Sequence, residues 1–276
     1  MAPSAAAISD LLTPQRARGE GRLVVSRRDG TTRLDQLYQD GAAKIRLPHT
    51  HDQSLQAVLM NTAGGLTGGD RLRWHAEAMP GARLVLTTPG CERIYRSLGP
   101  AAVIDTSLVA AAGARLDWLP QETILFEGAR LDRRLEVELA ADATFLAVEA
   151  VLLGRAAMGE LARNARLTDA WRIRRDGRLL HAEATRLAAD PLERDSLSLL
   201  AGAAAFATIL YVGADAAARL AAIRALPACP GLGSSVIGER LVVRVHASTG
   251  LALRRAIVPI VALLAGAGAL PRLWTI

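Results

Sequence analysis

Four glycines fall within Gly64-Gly65-Leu66-Thr67-Gly68-Gly69, and Asp70 closes the run. Ordering a glycine costs roughly 0.5–1 kcal/mol more than ordering an alanine, so such a cluster needs positive φ or close approach of another group. The apolar run 55–60 enters the loop, and Arg71-Leu72-Arg73-Trp74-His75 leaves it in alternation. Residues 55–75 therefore read as strand, glycine-rich turn, strand. Phosphate binding does not fit. A P-loop needs Lys-Ser/Thr after the last glycine, whereas Asp70 and Arg71 stand there, and a carboxylate repels phosphate. The dinucleotide fingerprint needs Gly-x-Gly-x-x-Gly opening a helix, and here a strand pattern follows. The loop is expected to be a structural turn that aims Asp70.

Strand-like runs recur at short spacing through the first two thirds: 43–47, 55–60, 83–87, 103–109, 115–119, 131–139 and 145–153. Pro80-Gly81, Pro89-Gly90, Gly99-Pro100, Ala112-Gly113 and Asp176-Gly177 punctuate them, and Arg28-Asp29-Gly30 signals a hairpin. No helical periodicity intervenes, which excludes a βαβ chain and predicts a mainly β architecture of stacked antiparallel or mixed strands. No fixed-length repeat is visible. The last third changes character. Residues 215–226 are rich in helix formers, with Asp215 as candidate N-cap and Pro227 as stop, and 251–264 form a second predicted helix in which Pro259 bends the chain or marks a first turn. The expected organisation is a flexible tail over 1–21 and one domain over 22–276.

At 51% hydrophobic and 22% charged, the 276 residues form a globular core rather than a disordered chain. Lys44 is the single lysine and the net charge is +6, but no basic run is interleaved with aromatics, so nucleic acid is not an expected partner. Cys91 and Cys229 are too few for a disulfide framework or a thiolate cage. The first residues lack the basic and apolar regions of a signal peptide, and the uncharged stretches 197–213 and 256–271 are interrupted by glycine or proline. A reduced cytoplasmic location without a membrane span is expected.

No catalytic set emerges. His49 and His51 share a strand face without a metal-ligating companion, and His181-Ala182-Glu183 lacks the Pro-Cys-x-x-Cys of the zinc deaminases. Gly231-Leu232-Gly233-Ser234-Ser235 is not a nucleophile elbow. Isolated carboxylates are the better candidates. Glu149 is the only charge in 143–153, and a buried carboxylate is costly unless paired or metal-bound. It is either half of a salt bridge, to an arginine such as Arg155, or an oxygen ligand lining an internal passage. Asp70 and Glu183 raise the same question. Trp118-Leu119-Pro120-Gln121-Glu122 reads as a packed corner.

Five stretches, in order, resemble the UreD (UreH) family of urease accessory proteins: Gly64 to Asp70; Thr87-Thr88-Pro89-Gly90 with Ile94-Tyr95-Arg96-Ser97; Leu116 to Glu122 with Ile124 and Phe126; Leu153-Gly154-Arg155 with Gly159-Glu160; and Leu270-Pro271-Arg272-Leu273-Trp274. Arg71, where an acidic residue can follow Gly-Gly-Asp, and Cys91-Glu92-Arg93 depart from the pattern. The resemblance implies a β-helix-like scaffold and a non-enzymatic chaperone that binds the urease apoprotein and recruits UreF and the GTPase UreG. It implies no tightly bound cofactor. It also implies a transient passage for nickel(II), with Asp70, Glu149 and Glu183 matching residues along that route. A conduit must release its ion, so sparse carboxylates suit it better than a His/Cys cage. The competing reading is a small-molecule-binding all-β enzyme using the glycine loop with Asp70 and Glu122. A nickel store is disfavoured by the lack of His-rich or Cys-rich tracts.

Overall fold

A computed structural model describes residues 15–50, 52–266 and 270–275. Residues 1–14 of the expected tail, and His51, lie outside the described residues. The hairpin at Asp29-Gly30 joins β1 (Arg18–Arg28) to β2 (Thr31–Gly41), so strand structure begins inside the span assigned to the tail. Asp29 and Gly30 both adopt positive φ, the conformation a tight two-residue hairpin turn requires.

After β3 (Ala43–Arg46) the chain winds as a coil between two stacked sheets. It passes through β4 (Leu55–Asn61), β5 (Arg71–Ala78), β6 (Arg83–Thr87), β8 (Ala102–Ala110), β9 (Arg115–Leu119), β11 (Arg130–Leu139), β12 (Thr144–Leu153) and β13 (Arg166–Arg175), with the short β7 (Glu92–Ile94) and β10 (Thr123–Leu125) in the connections. Successive coils pair in parallel: β1, β5, β8, β11 and β13 in one sheet, and β4, β6, β9 and β12 in the other. The result is a β-solenoid-like stack, as expected for a mainly β chain. Arg71 pairs with Val103, Ala102 with Leu131 and Arg130 with Arg166, so coil length varies and no repeat shows in the sequence.

The two ends of the stack differ. At one end the coils turn tightly, with Ala82, Ala114 and Ala143 amides donating to the carbonyls of Met79, Ala111 and Ala140 at 2.9, 3.0 and 3.1 Å. At the other end lie the long connections 62–70, 88–101, 120–129 and 154–165. After the hairpin β13–β14 (Arg178–Leu187), the chain adds β15 (Ala205–Val212), β16 (Leu232–Ile237) and β17 (Arg240–Ala247) antiparallel to the second sheet.

Between the sheets a core of alanine and leucine side chains is packed around Trp74, Trp118, Phe145 and Trp171. A second core lies on the outer face of the second sheet under α2 (Ala216–Arg224) and α3 (Gly250–Ala265). These are the two predicted helices, and the five-residue α1 (Pro191–Asp195) adds a third that the sequence reading missed. Asp215 does not cap α2 through its side chain; it binds Tyr211 and Arg219 instead. Pro259 lies inside α3, which continues through it. Among the described residues no helix is long and apolar enough to cross a membrane.

Candidate functional site

The glycine loop carries the chain from β4 in one sheet to β5 in the other, and its glycines serve two needs. Gly69 has φ +89°, as expected of a left-handed position, whereas Gly68 is there for space. A Cβ at Gly68 would stand 1.9 Å from Ser97 Oγ and 2.3 Å from the Pro100 carbonyl oxygen. The loop amides are spent internally: Leu66 donates to the Arg93 carbonyl at 2.8 Å and Gly69 to that of Ala101 at 3.0 Å. Asp70 is buried and accepts from the amides of Ala17 at 2.8 Å and Thr67 at 2.7 Å. The loop therefore aims Asp70 at backbone donors, closing itself and anchoring the start of β1.

Glu149 lies between the sheets. Alternation on β12 puts Phe145, Ala147, Glu149, Val151 and Leu153 on the inner face, so a charge enters the core. Its carboxylate accepts from Trp118 Nε1 at 2.8 Å and from the guanidinium of Arg133. Arg133 also donates to Asp169 at 2.6 Å and to Thr123 Oγ1 at 3.1 Å. Arg155, the partner expected from sequence, pairs with Glu160 instead. Burial pushes the Glu149 carboxyl up to about 7 against the pull of Arg133, and Asp169 adds to the rise. One guanidinium faces two carboxylates, so the cluster holds one acid more than its cation neutralises.

From this cluster polar side chains continue toward the open edge of the stack. Thr208 on β15 is the cross-strand neighbour of Glu149, and Arg244 on β17 that of Thr208. Arg244 donates to Glu183 of β14, across the two sheets, at 2.7 Å. Burial alone would raise Glu183, but His181 and Arg244 hold it below its ordinary value. Thr185, Thr208, Arg244 and His246 help line a cleft of about 730 Å³ at the surface. Among the described residues several buried polar atoms nearby have no hydrogen-bond partner, Arg133 Nε, Asp169 Oδ1 and Trp171 Nε1, while His181 Nε2 stands 3.7 Å from Glu183 Oε2. Buried polar groups are normally satisfied, by protein or by ordered water.

Glu122 belongs to another cluster, on the outer face of the second sheet. Arg254 of α3 donates to Glu122 at 3.0 Å, to Gln121 Oε1 at 2.8 Å and to the carbonyl oxygen of Trp274 at 3.0 Å. Trp274 is buried and donates from Nε1 to the Leu119 carbonyl at 3.0 Å. The expected corner at residues 118–122 is packed, and the C-terminal segment closes over it. Among the described residues Asp70 and Glu122 share no hydrogen-bond partner. Among the described residues no three His, Cys, Asp or Glu side chains gather into a metal cage.

The model of the family described as UreD urease accessory protein matches residues 17–275. The chain belongs to the UreD family. It is 60% identical to the urease accessory protein UreD of Chelativorans sp. (strain BNC1), over 95% of each chain. It is 51% identical to that of Rhizobium rhizogenes, over 95% of this chain and 97% of the relative, and 47% identical to that of Sinorhizobium medicae, over 96% and 98%.

In this UreD-family chain the three carboxylates singled out from sequence do not form one cluster. Glu149 and Glu183 face the space between the sheets from different strands, and Asp70 closes the glycine loop. Arg133 and Asp169 went unrecognised, although a signal existed. Arg133 falls in alternation with Leu131, Leu135, Val137 and Leu139, and Asp169 with Leu167, Trp171 and Ile173, so each is a charge on an apolar face.

Proposed function

We propose that this chain is a non-catalytic scaffold of urease maturation in the cytoplasm. It holds the urease apoprotein, recruits UreF and through it the GTPase UreG, and hands on nickel(II) without keeping it as a cofactor. The match to the UreD family over residues 17–275 carries the reading. Deleting the gene should leave urease protein intact and poorly metallated. Urease of wild-type nickel content in the deletion strain, grown at limiting nickel, would refute the role.

For the route, the polar side chains between the sheets support Glu149 and Glu183 as successive transient ligands. Their carboxylates are separated by Thr208 and Arg244, and the buried polar atoms of Arg133, Asp169 and Trp171 that find no hydrogen-bond partner among the described residues favour a hydrated path. Arg133 is always charged, so it already holds the place that a divalent cation would take between Glu149 and Asp169. Nickel passing Glu149 would have to displace it. Asp70 belongs to the same proposal at the glycine-loop end, where it would first give up the Ala17 or Thr67 amide.

A further inference from the structure

Two polar rows face each other between the sheets. On the first sheet Arg133 is the cross-strand neighbour of Asp169, and Asp169 that of Thr185. On the second, Glu149 is the neighbour of Thr208, and Thr208 that of Arg244. Thr185, Thr208 and Arg244 all line the surface cleft of about 730 Å³. Each acid of the buried cluster therefore stands one strand in from a residue of that cleft. On the far side of Arg133 the row ends in the apolar Ile104.

An ion pair that serves the fold alone is best matched in charge and saturated in hydrogen bonds. This cluster is neither. Arg133 and Glu149 are each 5% exposed and Asp169 6%, so all three are buried, yet two carboxylates share one guanidinium. Arg133 Nη1 also donates to Thr123 Oγ1 at 3.1 Å. Asp169 Oδ1 has no hydrogen-bond partner among the described residues, so the cluster keeps an acceptor to spare. Arg244, the nearest other cation along the rows, is spent on Glu183. With the guanidinium withdrawn, the same place offers two carboxylates and a hydroxyl. That is an all-oxygen set whose two negative charges match a divalent cation, where the single charge of arginine leaves one over.

We propose that Glu149, Asp169 and Thr123 form a divalent-cation site that Arg133 occupies as a tethered stand-in, and that this competition stops the protein from retaining the metal. The choice of nickel(II) as the ion rests on the accessory role. An incoming ion meets a free site only in those molecules whose guanidinium has moved aside, and its apparent affinity falls by that fraction. Arginine suits the task because it stays charged at every relevant pH and so never vacates the site by losing a proton. The two carboxylates without Arg133 would make a store of a protein whose task is to hand nickel on.

Nickel(II) binding to the purified full-length protein is measured by equilibrium dialysis, and its effect on melting temperature is followed in parallel. Arg133→Met opens the site, and Arg133→Lys keeps a positive charge that bridges the two carboxylates less well. Arg133→Met should bind a single nickel ion about tenfold or more tighter than the wild type, with Arg133→Lys between them. Nickel should raise the melting temperature of Arg133→Met more than that of the wild type, since the ion then takes the place of the missing cation. Adding Asp169→Asn to Arg133→Met should abolish the gain. Should Arg133→Met fail to fold in chelator, it should refold when nickel is supplied. Wild-type affinity in Arg133→Lys together with either wild-type affinity or no metal-dependent folding in Arg133→Met overturns the site, as does a gain that survives Asp169→Asn. Such a failure leaves the accessory role standing, because that role is tested separately by the nickel content of urease in the deletion strain.

Discussion

Arg133 and Glu149, on the two strands of one coil, meet across the two sheets, and the same guanidinium holds Asp169 on the next coil. This bridge ties β11, β12 and β13 together through ionised groups on their inner faces. Its asymmetry sets the first expectation.

Glu149→Gln leaves Arg133 paired with Asp169 and keeps a polar oxygen near Trp118, so the loss should be about 1–3 kcal/mol. Arg133→Met leaves two buried carboxylates without a cation, and the loss should be on the order of 3–5 kcal/mol. Urea melts of both variants check the order; a reversal would mean that Arg133 is not the element that makes the cluster tolerable. Nickel content of urease co-expressed with Glu149→Gln tests the route separately. Full loading would remove Glu149 from it.

The glycine loop separates space from strain. Gly68→Ala places a methyl group against Ser97 Oγ and the Pro100 carbonyl, and backbone cannot yield cheaply. Gly64→Ala meets nothing within 4 Å and suffers only its φ of +77°, a cost of roughly 1–2 kcal/mol. Thermal melts should rank Gly68→Ala well below Gly64→Ala. Adding Ser97→Ala should restore part of the loss but not all, since the carbonyl remains.

Trp274 fastens the C-terminal segment. Trp274→Ala should cost about 3–5 kcal/mol by opening a cavity in the second core. Trp274→Phe keeps an aromatic ring under Arg254 and loses the hydrogen bond to Leu119, about 1 kcal/mol. A Trp274→Ala melting temperature equal to that of the wild type would show that the segment contributes nothing to the packing of α3.

Burial pushes the Glu92 carboxyl from its ordinary 4.5 up to about 7, against the hydrogen bond from Asn61. The folded state therefore holds this proton more tightly than the unfolded chain. Its contribution to stability is complete below about 4.5 and is lost as pH rises through about 7. Glu92→Gln should flatten the stability profile between those values. An unchanged slope in the variant would assign the pH dependence to another group, of which Glu149 is the first to test.

Local pattern was enough to predict the β class, the hairpin at Asp29-Gly30 and the positions of α2 and α3. Alternation and turn residues act between near neighbours, so they are legible in one dimension. That Glu149 needed a partner was also legible, because an ionised group on an apolar strand is costly wherever the strand ends up. Which arginine answers it was not. Arg155, near in sequence, points into a loop and binds Glu160, while Arg133 faces Glu149 because β11 and β12 lie on opposite sheets of one coil. The glycine cluster called for positive φ or close approach without saying which glycine met which need, and it was the packing of 97–100 against Gly68 that required the missing side chain there. Pairings of this kind depend on how many residues each connection spends before the chain re-enters a sheet. Those lengths vary from coil to coil, so only the closed stack decides which charges share the interior.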